Sequence, residues 1–327
     1  MKRKKPWLAI LLGSSLLTIL AIDLYLLLSF EFPTKLIQEP FPSPSQIAEI
    51  EQETQQTPVT ENGADEEDNP QYVEDEPDDP ANDIQTGQIP GSDIYVREIP
   101  ITLEPDMENH LKQFRNSARM LVQEFPNSFV ITMNSSDLGS SEKTIALTFD
   151  DGPDSSSTLE VVKVLNEYGI PGTFFLIGQQ MDSFTNTVKA IIAGGHTIAN
   201  HSWSHMRPTD ISTDILMNEA DSTQEVIASH SVNTKLYRPP YGLVKRTQMP
   251  ALKEAGYQVV CWSIDSMDWY FKDPELIVRC VVENAHPGAI VLMHSAGGSD
   301  NRKATIEALP IIIETLQEDG YRFVSLP

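Results

Sequence analysis

The stretch 145-IALTFDDGPD-154 decides how this chain is read. An apolar, partly alternating run ends in two adjacent aspartates and then a Gly-Pro break, as a buried strand does where it meets a loop. Side chains i and i+1 of an extended strand point to opposite sides. Asp150 and Asp151 are therefore poorly placed to share one proton as a matched dyad. The expectation is that each faces a different partner.

Working outward, six further strand-like runs follow: GTFFLIG (172–178), HTIAN (196–200), TKLY (234–237), YQVVCWSI (257–264), AIVLM (289–293) and YRFVSL (321–326). Helical patterns lie between them, over 159–169, 184–195, 212–229, 248–257, 273–285 and 304–321, several closed by glycine. Strands alternating with helices predict a parallel, barrel-like α/β domain. A further short helix is expected within 105–125, stopped by Pro126.

Polar residues follow the strands rather than scatter. Asp150 and Asp151 end the first run. His201 and His205 follow HTIAN, Arg238 and Tyr241 follow TKLY, Asp265, Asp268 and Trp269 follow QVVCWSI, and His294 follows AIVLM. Five strand ends thus deliver polar or aromatic groups to the C-terminal rim, where parallel α/β barrels gather catalytic residues. In 201-HSWSH-205 the i, i+4 spacing puts two imidazoles on one side of a helical turn or tight loop. An HxxxH alone is weak. Joined by a carboxylate from another strand end, Asp151, it has the make-up of an open catalytic zinc site. Asp150 is then left to act as general base, with Arg238 suited to a two-pronged grip on its carboxylate. His294 suits protonation of a leaving group, with Asp268 or Asp265 as its carboxylate partner. Trp269 and Leu292 are candidates for the walls of a small apolar pocket.

The rest of the chain carries other signals. Its formal net charge is -24 over 327 residues, which argues against nucleic-acid binding. Residues 31–98 hold 18 acidic and 2 basic side chains, so most of the acidity lies outside the barrel-like region. That polar, Pro-rich segment cannot bury enough apolar area to offset the entropy of ordering, and reads as a disordered tether over 33–98. Before it, 2-KRKK-5 precedes a long apolar run ending at Phe30. The run exceeds the usual secretory core, so a single-pass anchor is expected in preference to a cleaved signal peptide, with the basic stub cytoplasmic. The domains expected are 1–32 stub and anchor, 33–98 linker, 99–142 lead-in segment and 143–327 barrel. Cys261 and Cys280 form no CxxC pair and read as buried free thiols.

Taken together, TFDDGP (148–153), HSWSH (201–205), RPPYG (238–242), DSMDW (265–269) and LMH (292–294) resemble the five motifs of polysaccharide deacetylases, carbohydrate esterase family 4 with the NodB-homology domain. The likeness covers about 143–327. It implies a distorted (β/α) barrel of about seven strands and metal-dependent removal of N-acetyl groups from a glycan. By the family pattern Asp150 is the base. Asp151, His201 and His205 bind a divalent metal, usually zinc, and Arg238 positions Asp150. The Tyr241 backbone, in the turn with Pro240, contacts substrate as an oxyanion donor. Trp269 and Leu292 hold the acetyl methyl, and His294 is the acid tuned by Asp268. The expectation is a membrane-anchored, extracytoplasmic deacetylase of peptidoglycan N-acetylglucosamine. Chitin oligomers and acetylated xylan are alternative substrates, and a non-catalytic wall-binding protein is the alternative of another class. The segment after His294, SAGGSDNRKA (295–304), looks like a mobile loop.

Overall fold

A computed structural model describes residues 103–133, 143–298 and 300–327. The expected anchor and acidic linker lie outside the described residues. Among the described residues no helix is long and apolar enough to cross a membrane.

Helix α1 (Pro105–Glu124) opens with proline in its first turn and ends just before Pro126. Its Leu111, Phe114, Ala118 and Leu121 recur every three or four residues, and all four are buried. It leads directly into strand β1 (Phe129–Val130). Strand β2 (Thr144–Asp150) is buried along its whole length. Then come α2 (Ser157–Glu167), β3 (Thr173–Leu176), α3 (Gly178–Ser183), α4 (Thr185–Ala193), β4 (Thr197–Asn200), α5 (Thr213–Ser229) and β5 (Leu236–Tyr237). The chain continues through α6 (Met249–Glu254), β6 (Gln258–Val260), β7 (Ile264–Asp265), α7 (Pro274–Val282), β8 (Ala289–His294), α8 (Lys303–Glu318) and β9 (Arg322–Phe323).

The strands form one curled sheet in the order β1-β6-β5-β4-β3-β2-β8-β7, with β9 against the start of β2. Every strand pair is parallel. Nine strands stand where about seven were expected, for two reasons. The run QVVCWSI breaks after Val260, so β6 pairs with β5 while β7 pairs with β8. In addition β1, from the lead-in segment, joins the sheet beside β6. Cys261 N donates to Val130 O, Ser263 N donates to Ile290 O, and Thr132 bridges Ala289. The lead-in segment is therefore bonded to both the β6 and the β8 sides of the curl.

Side-chain alternation divides the core in two. Ile145, Leu147 and Phe149 of β2, with Val291 and Met293 of β8, pack toward the helices. Ala146 of β2, Phe175 of β3, Ala199 of β4 and Leu292 of β8 belong to a second cluster that includes Phe114 of α1. Period two carries that second face of β2 through Thr148 to Asp150, and that of β8 from Leu292 to His294. Cys261 and Cys280 are buried free thiols, both pushed up to about 12 by burial.

Candidate active site

Register brings the polar strand ends together. Asp150 is the direct partner of His294 across β2 and β8, and Asp265 is the partner of Leu292 across β7 and β8. Asn200 pairs with Tyr237, which sets His201 and Arg238 side by side just past the sheet. A cavity of about 240 Å³ opens at this rim, lined by Asp150, Asp151, His201, His205, Tyr241, Asp265, Trp269, Leu292 and His294 among others.

Asp151, His201 and His205 each present a ligand atom within 4.8 Å of the others. The Asp151 Oδ1 stands 3.5 Å from His201 Nε2 and 3.3 Å from His205 Nε2. Four ligands set tetrahedrally at about 2.0–2.1 Å from zinc would be about 3.3–3.4 Å apart. The spacing fits that edge length. His201 Nδ1 lies 2.8 Å from the Arg238 carbonyl oxygen. A carbonyl only accepts, so Nδ1 carries the proton and the Nε2 lone pair is left for a cation. Burial tends to raise the Asp151 pKa. The rings of His201 and His205 and the charge of His294 outweigh it and hold the carboxyl well below the usual range.

The two aspartates do have different partners, but they do not face opposite sides. The strand stops at Asp150, and Asp151 turns into the left-handed region at φ 72°. Both carboxylates therefore reach the same cavity and the same His201 Nε2, at 3.8 and 3.5 Å. Asp150 is claimed by Arg238, which is fully buried and donates from Nη1 to Asp150 Oδ1 at 2.7 Å. Nη1 also donates to Thr148 Oγ1, and Nε to the Val260 carbonyl. The grip on Asp150 is one-pronged, and Nη2 turns instead to the Cys261 carbonyl. The guanidinium lies 4.0 Å over the Phe175 ring.

Across the cavity the sequence left two carboxylates competing for His294. Asp268 takes it: Oδ1 lies 2.7 Å from His294 Nδ1, and Oδ2 accepts from His294 N at 2.9 Å and from Thr305 Oγ1 at 2.9 Å. Burial alone would lower the His294 pKa. The Asp268 charge and hydrogen bond, with Asp151 beyond, raise it to about 9. Asp265 instead accepts from Met267 N and from Trp269 Nε1, which orients the tryptophan. Burial pushes the Asp265 carboxyl up to about 6.

Arg238 and Asp268 do not line the cavity themselves; each bonds a residue that does. Pro240, expected to touch substrate, is buried and also absent from the lining, whereas its neighbour Tyr241 is half-exposed there. Three contributors were not legible in the sequence. Glu219, in the middle of α5, accepts from Trp203 N, Ser204 N and Ser204 Oγ, and so braces the loop between the two histidines. Arg302, within the stretch read as a mobile loop, is buried, donates to Ala296 O at 2.7 Å and reaches Asp151 Oδ2 at 3.5 Å. Both ends of that stretch are anchored, since Ser295 N also donates to Asp150 O. The third is α1, whose Leu111 and Phe114 line the cavity. Six non-glycine residues with left-handed backbone surround the site: Asp151, Ser202, His205, Tyr241, Met267 and Arg302.

The polysaccharide deacetylase family model matches residues 138–260. One peptidoglycan-N-acetylglucosamine deacetylase of Bacillus cereus is 40% identical over 187 residues, which is 57% of this chain and 87% of that protein. A second from the same organism is 36% identical over 186 residues, 56% of this chain and 66% of the relative's length. The crystal structure of the Bc1960 peptidoglycan N-acetylglucosamine deacetylase superposes with a TM-score of 0.59 at 32% identity, covering 64% of this chain and 95% of that one. The chain belongs to the polysaccharide deacetylase family.

Proposed function

We propose that the chain removes N-acetyl groups from N-acetylglucosamine in peptidoglycan. The observation that carries this reading is the convergence on one cavity of the Asp151–His201–His205 triangle, the Asp150–Arg238 pair and the Asp268–His294 pair. Asp151, His201 and His205 would hold a divalent cation, zinc in this reading, which would supply Lewis acidity toward the amide carbonyl and water. Asp150, fixed by Arg238, accepts the proton of the attacking water. The Tyr241 backbone N–H donates to the carbonyl oxygen as negative charge develops on it. His294, kept protonated by Asp268, passes its proton to the departing nitrogen. Trp269 and Leu292 hold the acetyl methyl group. The products are acetate and a free glucosamine amine.

In the same reading, residues 1–32 anchor the chain in the cell membrane and 33–98 hold the catalytic region on the outer side. The basic cluster, the apolar run and the acidic composition support this. Fractionating cells that express the full chain or one lacking residues 1–32 tests it; equal solubility of the two would count against an anchor. For the activity, acetate release from purified peptidoglycan is measured with and without a chelator. Release that chelation abolishes is expected. A metal-loaded chain that frees no acetate from any N-acetylated glycan would favour a non-catalytic wall-binding role. Parallel assays on chitin oligomers and acetylated xylan rank the alternative substrates.

A further inference from the structure

The residues that the catalytic reading assigns to the acetyl methyl group, Leu292 and Trp269, sit in different apolar clusters. Leu292 shares one with Phe114 and Trp262, while Trp269 packs against another that contains Leu111. Helix α1 is the element common to both, because Leu111 and Phe114 lie three residues apart on its buried face. Both side chains also line the cavity that holds Asp150, Asp151 and the histidines. Phe114 stacks on Trp262 at 4.6 Å between ring centroids, with the planes 15° apart. The stack presses on Gly242, where an added Cβ would meet Trp262 at 2.5 Å and Phe114 at 2.7 Å, and where φ is +68°. Gly242 directly follows Tyr241, so α1 is packed against the turn expected to donate to the oxyanion.

We infer that α1, which lies ahead of the family-matched residues, sets acyl-chain length by closing the apolar end of the cavity. The helix is a specificity element, with Phe114 as its main stop and Leu111 as the second. This inference rests on the deacetylase reading, since it names which acyl group that cavity admits. Apolar pockets discriminate a single methylene by about 10- to 200-fold, and a rigid aromatic stack is a suitable stop.

The test compares versions of one peptidoglycan preparation whose glucosamine amines carry acetyl, propionyl or butyryl groups, as substrates of the full chain with added zinc. The wild type is expected to prefer acetyl over propionyl by about tenfold or more. Phe114→Ala should raise the propionyl-to-acetyl ratio of kcat/KM by about tenfold, and Leu111→Ala by less. Because Phe114→Ala removes buried area and its fold is not assured, Phe114→Leu and Leu111→Val are measured alongside, with thermal melting. Folded variants whose ratio stays within about twofold of wild type overturn the inference and leave the deacetylase reading standing. A wild type that releases no acetate, propionate or butyrate from any of these peptidoglycans overturns both.

Discussion

Two aspartate–histidine associations face each other across the cavity, and they are built in opposite ways. On the β2–β4 side, Asp151 stands 3.3 and 3.5 Å from two imidazoles, and His201 gives its one ring proton to a backbone carbonyl. On the β7–β8 side, Asp268 closes to 2.7 Å on a single imidazole and also binds that residue's backbone N–H. The first arrangement leaves lone pairs converging on an open point and suits a cation. The second commits the ring proton to the carboxylate and raises the imidazole pKa, which suits a proton donor. The same two residue types yield different chemistry because Nδ1 of His201 meets a neutral backbone carbonyl, whereas Nδ1 of His294 meets a carboxylate.

The largest effects should separate the two halves. Asp151→Ala is expected to lose both bound metal and turnover. Asp150→Asn should lower turnover by about 10²- to 10⁴-fold yet keep its metal. Metal content and acetate release, measured together, check this; if Asp150→Asn emptied the site, the division of labour between the neighbours would fail. Next comes Asp268→Asn. His294 must be protonated to act as the acid, so the wild-type rate should hold below its pKa and decline as pH rises through about 9. Without the Asp268 charge that pKa drops, so the alkaline limb of the pH–rate profile should move to lower pH. An unmoved limb would mean that a different group titrates there.

Smaller effects should distinguish the braces. Glu219→Gln loosens the loop between His201 and His205 and should weaken metal affinity by about 10- to 100-fold, without shifting the alkaline limb. Competition with a chromophoric chelator measures it. Thr305→Val removes one of three contacts to Asp268, with an expected stability loss of about 1 kcal/mol and metal affinity unchanged. Denaturant titration beside metal titration checks this. A Thr305 variant that lost metal would erase the distinction between the halves.

How much of this was readable in advance follows from where the information lies. A strand's end announces itself through a short local pattern, and a polar residue placed there has nowhere to point but the rim. Asp150, His201, Arg238 and His294 were legible for that reason. Asp151 does lie beside the two histidines it was read with, but its direction was misread, because alternation holds only while the backbone stays extended, and it turns left-handed at that residue. Asp268 and Asp265 could be ranked by the family resemblance but not by spacing, since residues three apart in an irregular turn have no fixed relation until the turn folds. Glu219, Leu111 and Phe114 occupy ordinary positions in amphipathic helices. A cavity wall and a plain core contact have the same spacing, and only docking against chain more than a hundred residues away tells Phe114 from any other buried aromatic. Arg302 was hidden among small and polar residues that read as surface.

Six residues with left-handed backbone ring the rim. Each costs about 1 kcal/mol or more relative to a relaxed backbone, against a whole-domain stability of roughly 5–15 kcal/mol. The rim is thus held tense by the scaffold around it.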